Sequence, residues 1–341
     1  MSTRLIKKRH FTIPVFLPME ACPFQCIFCD QDRITGKATV PSPGEVTHIL
    51  HQHLSTIPEK NTDVEAGFFG GTFTGLPPER QRAYFEKVLP FMKNGRIQGI
   101  RLSTRPDFIS REILDLLKEY PVKTIELGIQ SMDDEVLSKS SRGHTSRTSE
   151  NASRMIREAG FSLGLQMMIG LPGDTEEKSV NTAKRIVELG ASETRIYPVI
   201  VIKGTPLEKV FLKGKYIPLE LDEAISWTKK VVSVFEEFDI KIIRIGLHPS
   251  EGLLNRTDYI AGPFHASFRE LVMTSLWTDR FRDLFNKKPG EFIQIRVNPA
   301  DLNPAIGYYG KNRKLLEKHF RSVKFVADPE IKEKTYYADY R

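Results

Sequence analysis

The chain has 341 residues, 40% hydrophobic and 27% charged, with a net charge of +7 and a pI of about 9.1. This composition supplies a substantial apolar core and excludes a collagen-like, disordered or disulfide-stapled chain. No apolar run approaches the roughly 18 residues that span a bilayer, and no apolar signal segment follows the basic start, so a cytoplasmic protein without membrane contact is expected.

Short apolar runs that end in Gly, Pro or polar residues predict strands at 11–17, 64–69, 99–103, 124–129, 163–169 and 195–201. Stretches of helical period predict helices at 44–54, 78–89, 111–118, 147–158, 176–189 and 221–238. Six β-then-α units imply an α/β fold with a parallel sheet and helices packed outside it. Six units fall short of a closed eight-stranded barrel, so an open, partial (β/α)6 TIM-like barrel is expected over residues 1–245. The composition shifts near 246–252. A small α+β C-terminal domain is expected over 246–341. Its predicted parts are an amphipathic segment at 265–285, an alternating strand at 292–297 and a basic helix over 311–324.

The first strand leads into Cys22-Pro-Phe-Gln-Cys26-Ile-Phe-Cys29, which holds all three cysteines of the chain. Three thiols within eight residues cannot form a disulfide framework, and thiolates are soft ligands suited to iron–sulfur clusters. Three cysteines hold three irons of a cubane and leave the fourth iron open to an amino group and a carboxylate. A zinc site needs a fourth ligand, for which Asp30 and His10 are the nearest candidates.

Further polar and glycine-rich groups stand at the predicted strand ends. Gly70-Gly71-Thr72 follows the second strand, where glycines let backbone approach a ligand closely. Ser103 ends the third strand, Gln130 the fourth, and Arg142 precedes the next helix. Gln166 lies within the fifth strand, followed by Met167 and Met168, which read as core.

The cysteine spacing, with Phe28 before the last cysteine, resembles the radical S-adenosylmethionine (SAM) superfamily. The resemblance implies a [4Fe–4S] cluster on Cys22, Cys26 and Cys29, and SAM on its open iron. It further implies reductive cleavage of SAM to methionine and a 5′-deoxyadenosyl radical, and a reductase such as flavodoxin or ferredoxin. Phe28, Gly70, Gly71 and Thr72 match the family's SAM-binding segments. Ser103, Gln130, Arg142 and Gln166 match SAM contacts of the related oxygen-independent coproporphyrinogen oxidases, where position 103 is usually an acid. Arg142 is the expected partner of the SAM carboxylate.

Ser103-Thr-Arg-Pro-Asp107, Arg142-Gly-His-Thr145 and the segment 196–205 resemble the Elongator catalytic-subunit family over about residues 14–240. That family modifies C5 of wobble uridines in tRNA with an acetyl group from acetyl-CoA, which implies a tRNA substrate here. The C-x3-C spacing is shorter than that family's, and no acetyl-CoA-binding segment is recognisable. Tyr197 and Lys203 match the family's sixth-strand segment. They are the catalytic candidates: Tyr197 to bind or quench the substrate radical, Lys203 to contact a phosphate or acyl group. An ordinary strand-end tyrosine and a solvated lysine are the alternative.

Near the C-terminus, Gly307-Tyr-Tyr-Gly310 precedes Lys311, Arg313 and Lys314. This resembles a KH-type element, whose G-x-x-G loop clamps the RNA backbone beside basic side chains, with Tyr308 and Tyr309 placed to stack on bases. His265, Arg269 and Glu270 are candidates to close the barrel mouth. Two other readings stay open: a radical oxidase of a small molecule, and a non-catalytic RNA-binding iron–sulfur protein.

Overall fold

Seven strands, each packing apolar residues outward against helices, run parallel in one sheet. They are β1 (Arg9–Phe16), β2 (Thr62–Phe69), β3 (Gly99–Thr104), β4 (Val122–Gln130), β5 (Ser162–Ile169), β6 (Glu193–Pro198) and, after the short β7 (Val201–Ile202), β8 (Lys241–Ile245). The computed structural model describes residues 9–18, 20–22, 26–36, 39–287 and 290–340. Residues 1–8 and 23–25, basic start and cluster-loop centre, lie outside the described residues. The sheet order is β1-β2-β3-β4-β5-β6-β8, with every neighbouring pair parallel. β1 and β8 are its two edges, so the barrel is open.

The helices fall between the strands because local signals start them. Ser42, Ser110, Thr145 and Thr175 each accept a hydrogen bond from a first-turn backbone N–H, capping helices Pro43–Leu54, Arg111–Lys118, Ser146–Glu158 and Glu176–Glu188. Val15, Phe68, Leu102, Leu127 and Leu165 are buried in the layer between sheet and helices. Phe73 and Phe85 stack at 5.1 Å under the second crossover.

The expected partial (β/α)6 barrel is present, and a seventh strand, the five-residue β8, extends its far edge. One expectation needs correction. The basic helix expected over 311–324 is Lys311–Leu316 alone. Phe320–Ala327 is strand β11. Exposed Ser322 and Lys324 alternate there with half-buried Val323 and Phe325, the period of two of a strand.

The remaining segments form two smaller sheets. β7 pairs antiparallel with β9 (Tyr259–Ala261). β10 (Gly290–Val297) lies between β11, parallel to it, and β12 (Tyr336–Tyr340), antiparallel. This sheet has its own core of Trp277, Phe281, Ile293, Ile295 and Phe320. The amphipathic segment forms helix Phe268–Arg280, and a short turn at Phe281 precedes helix Arg282–Phe285. No helix among the described residues is long and apolar enough to cross a membrane.

Candidate active site

Chemistry collects at the C-terminal ends of the parallel strands, where loops are free to vary over a fixed scaffold. A pocket of about 140 Å³ is lined by Cys22, Cys26 and Cys29, by Gly70 and Gly71 after β2, and by Ser103 and Arg105 at the end of β3. Phe28, Gln31, Thr104, Gly128, Gln130, Arg142 and Gln166 complete it. The structure thus brings together seven of the eight residues expected to bind the cofactor. Thr72 stands behind the lining, buried, with its hydroxyl 3.3 Å from Cys22 Sγ.

The cluster loop is fixed by its backbone. Ile27 N–H donates to Ser140 O at 3.3 Å, and Ile27 O accepts from Leu207 N–H at 2.8 Å. Cys29 N–H donates to Cys26 O at 3.0 Å. On the other side, Gly71 N–H donates to Gln31 Oε1 at 2.6 Å, and Thr72 N–H to Glu20 O at 2.9 Å. Gly71 has φ +51°, and a Cβ there would stand 2.3 Å from Glu20 O. Only glycine fits against this backbone. Gly71→Ala is expected to displace the cluster loop and destabilise the protein by about 2–4 kcal/mol. Denaturant unfolding and SAM titration check this, and wild-type SAM affinity would contradict it.

Two guanidinium groups face the second cysteine. Arg142 Nη1 lies 3.0 Å from Cys26 Sγ, and Arg105 Nη1 lies 3.9 Å from it. Arg105 is held by both oxygens of Asp107, at 3.0 and 2.9 Å. Arg142 also donates to Gly128 O, and its Nε, like Gln130 Oε1, is buried without a partner among the described residues. An unmet buried donor and an unmet buried acceptor in one pocket are a built invitation to a polar ligand. Burial pushes the Cys29 thiol up to about 12, and its neighbours Cys26 and Cys22 add to the shift. Burial raises Cys22 as well. Burial thus favours the protonated thiol at Cys22 and Cys29, and a metal that binds there takes the protons' place.

The donor set fits a cubane cluster better than a zinc ion. Asp30 caps helix Gln31–Thr35, accepting from Arg33 N–H at 3.1 Å, and pairs with the Arg33 guanidinium at 3.1 Å. His10 stands at the start of β1, 3.2 Å from Asp63. Neither is left to serve as a fourth ligand. No three Cys, His, Asp or Glu donors among the described residues converge at single-ion spacing. A cubane holds its thiolates wider apart than one ion does.

His144 is buried behind Arg142, with Nε2 3.3 Å from Arg142 Nη2. Burial, reinforced by Arg142, lowers its pKa to about 4. The folded state therefore holds it neutral while the unfolded chain takes up a proton below about pH 6.5. Stability from this residue is present above pH 6.5 and is lost as pH falls towards 4, by up to about 3 kcal/mol. Unfolding midpoints between pH 4 and 7 should fall less steeply in His144→Asn than in the wild type.

The pocket opens into a larger cavity of about 550 Å³. The two share Phe28, Cys29, Gln31, Gly70, Ser103, Gln130 and Gln166. Tyr197 lines the larger cavity, as do Met168, Arg195, Arg244 and His248. Met167 faces the core. Lys203 is exposed and outside both linings, with its N–H on Asp258 O. His265 packs edge-on against Tyr308 at 5.7 Å rather than lining the cavity, and Arg269 and Glu270 do not line it either. Gly307 and Gly310 both have positive φ and join helices Leu302–Ile306 and Lys311–Leu316. Lys311, Arg313 and Lys314 are exposed there.

Sequence reasoning missed the polar interior of the barrel. Arg101 Nε, Nη1 and Nη2 donate to Glu65, Glu126 and Glu193 at 2.9, 3.0 and 2.7 Å. Glu126 in turn accepts from Arg195 Nε at 2.6 Å and from Gln166 Nε2 at 2.9 Å. This layer is the floor under the cavity. Its signal in the sequence is a charged residue at an inward position of strands otherwise apolar.

The sequence model of the Radical SAM superfamily matches residues 16–186, and that of the Radical_SAM C-terminal domain matches residues 192–278. An uncharacterised protein of Methanocaldococcus jannaschii is 30% identical over 233 residues, covering 64% of this chain and 70% of that protein. The tRNA uridine(34) acetyltransferase of the same organism is 25% identical over 263 residues, covering 64% of this chain and 48% of that protein. The chain thus spans about half the length of that acetyltransferase. Among solved structures, the archaeal Methanocaldococcus infernus Elp3 with an N-terminal deletion superimposes with a TM-score of 0.65 at 20% identity, covering 81% of this chain and 64% of that one. The fold is therefore shared with an Elongator-type protein. With half of its length matched by the family's own model, and three cysteines at the mouth of a parallel half-barrel, the chain belongs to the radical SAM superfamily, whose cofactors are a [4Fe–4S] cluster and SAM.

Proposed function

We propose that the chain is a radical SAM enzyme acting on tRNA. The observation that carries this reading is one continuous space, running from the three cysteines through the polar pocket beside them into a cavity of about 550 Å³. Cys22, Cys26 and Cys29 hold the cluster. Backbone at Gly70 and Gly71, with Phe28, Ser103, Gln130, Arg142 and Gln166, holds SAM. The unmet Arg142 Nε and Gln130 Oε1 supply a donor to a carboxylate and an acceptor for a hydroxyl or ammonium. When bound, the cluster and SAM supply a carbon radical able to abstract a hydrogen atom.

The chain's own residues confine that chemistry. Phe16, Phe28, Phe69 and Met168 give the cavity apolar walls that keep water from the reacting atoms. Tyr197 lies in the same wall, half-buried, with its hydroxyl's pKa raised by desolvation. It thus remains protonated and able to donate a hydrogen bond or hydrogen atom to a bound substrate.

The tRNA substrate rests on the likeness to the tRNA uridine(34) acetyltransferase and on the exposed G-x-x-G turn. That turn lies in a strand–helix–turn–helix–strand unit between β10 and β11, with Tyr309 81% exposed beside Lys311, Arg313 and Lys314. Gly310→Asp with Lys311→Ala is expected to weaken tRNA binding at least about tenfold near 0.1 M salt. Bulk tRNA is expected to raise the yield of 5′-deoxyadenosine from the reduced protein. Unaltered binding across several salt concentrations, with no stimulation by tRNA, overturns the tRNA reading and favours a small-molecule substrate.

A further inference from the structure

The larger cavity contains a positive charge that the protein does not neutralise. Strands β6 and β8 place Arg195 and Arg244 side by side in register, and both line the cavity. Arg195 is answered by Glu126, through Nε at 2.6 Å and Nη2 at 3.1 Å, and its guanidinium lies 5.1 Å over the Phe69 ring. Arg244 has no such answer. Its Nε donates to Gly246 O at 2.9 Å, and its Nη2 stands 3.5 Å from His248 Nδ1. No carboxylate pairs with it among the described residues. The surrounding walls are Pro14, Phe16, Ile243 and Leu247.

A half-buried cation beside a second cation, against apolar walls, is an unfavourable arrangement in the empty cavity. It becomes favourable when an oxyanion enters. A guanidinium matches the planar oxygens of a carboxylate or phosphate in a bidentate pair, at a strength that low dielectric increases. Tyr197 lines the same cavity beside Arg195 and brings a hydroxyl able to donate a further hydrogen bond. Burial holds Arg244 below the ordinary arginine range, in keeping with a cation that lacks a counter-charge.

We propose that Arg244, with Tyr197 and His248, forms an oxyanion-binding subsite that anchors a phosphate or carboxylate of the molecule being modified. This rests on reading the cavity as the substrate chamber. The chemistry admits two sources: a phosphate beside a nucleoside, or the carboxylate of a small acid.

Calorimetric titration of the full chain with its cluster, without reductant, tests it with named probes. These are uridine 5′-monophosphate against uridine, and succinate against succinamide. At least one anionic probe is expected to bind at least tenfold tighter than its neutral counterpart. Arg244→Met should remove that preference, and Arg244→Lys should restore part of it. Preference in the first pair identifies a phosphate, and in the second a carboxylate. Equal binding of anion and neutral partner in both pairs overturns the subsite, whether or not Arg244→Met folds. So does a preference that survives in a folded Arg244→Met. The readout needs no SAM cleavage. Wild-type protein that shows the preference but releases no 5′-deoxyadenosine on reduction keeps the subsite and overturns the radical reading.

Discussion

Alanine at Cys26 is expected to leave a folded protein that retains less than about one iron per chain after anaerobic reconstitution and releases no 5′-deoxyadenosine. Cys26 is the innermost of the three thiols, 5% exposed, with two guanidinium groups at 3.0 and 3.9 Å from its sulfur. Removing it leaves two cysteines for a cluster that needs three, and leaves Arg105 and Arg142 facing a void. The fold should tolerate the change. Cys26 belongs to a small apolar group with Phe28, Val136, Leu171 and Val199, and losing one sulfur there costs only about 1 kcal/mol. Iron content and thermal unfolding, measured together, separate the two effects. Near-stoichiometric iron in Cys26→Ala contradicts the assignment of this thiol as a ligand.

The largest effect on stability is expected from Arg101→Met. The guanidinium meets three carboxylates at hydrogen-bond distance, and Arg101, Glu65, Glu126 and Glu193 are all buried. Breaking a buried pair by removing one partner typically costs about 3–5 kcal/mol, because the remaining charge is desolvated and unanswered. Here Glu126 would keep Arg195, Glu65 would keep only His10 at 3.5 Å, and Glu193 would lose its guanidinium partner. A loss of at least about 4 kcal/mol is expected, which in a chain this long lowers Tm by roughly 10 °C. The damage should reach the site, because Glu126 also holds Gln166 and Arg195 in the cavity wall. Adding Glu126→Gln and Glu193→Gln to Arg101→Met should recover part of the loss. A change below about 1 kcal/mol would show that the network is not structural.

Much of the site was legible because its parts are local. The three cysteines occupy one loop, and Gly70, Gly71, Gln130 and Gln166 stand at or near strand ends that apolar runs already mark. Arg142 was found through its motif, and the structure adds why it matters: it touches the Cys26 sulfur. Arg105 was in plain view within Ser-Thr-Arg-Pro-Asp but gave no sign that it would turn onto the same sulfur. The barrel floor was illegible for a different reason. Glu65, Arg101, Glu126 and Glu193 come from four separate strands, and only their pairing in register makes them a cluster. Arg195 and Arg244 are likewise neighbours only because β8 joins β6, and β8 itself is five residues at a sheet edge. The basic run after Gly310 suggests a helix by its charge, but its end follows another period: Val323 and Phe325, alternating with exposed Ser322 and Lys324, make a strand there. Lys203 illustrates the limit of motif matching: it stands in the expected segment and reaches neither cavity.

The most direct measurement is the yield of 5′-deoxyadenosine. The protein is reconstituted anaerobically with iron and sulfide, reduced, and supplied with SAM. The wild type is expected to release 5′-deoxyadenosine and methionine in equal amounts, and Cys26→Ala to release neither. Fully loaded, reduced wild-type protein that leaves SAM intact, with and without tRNA, would contradict a radical SAM activity for this chain.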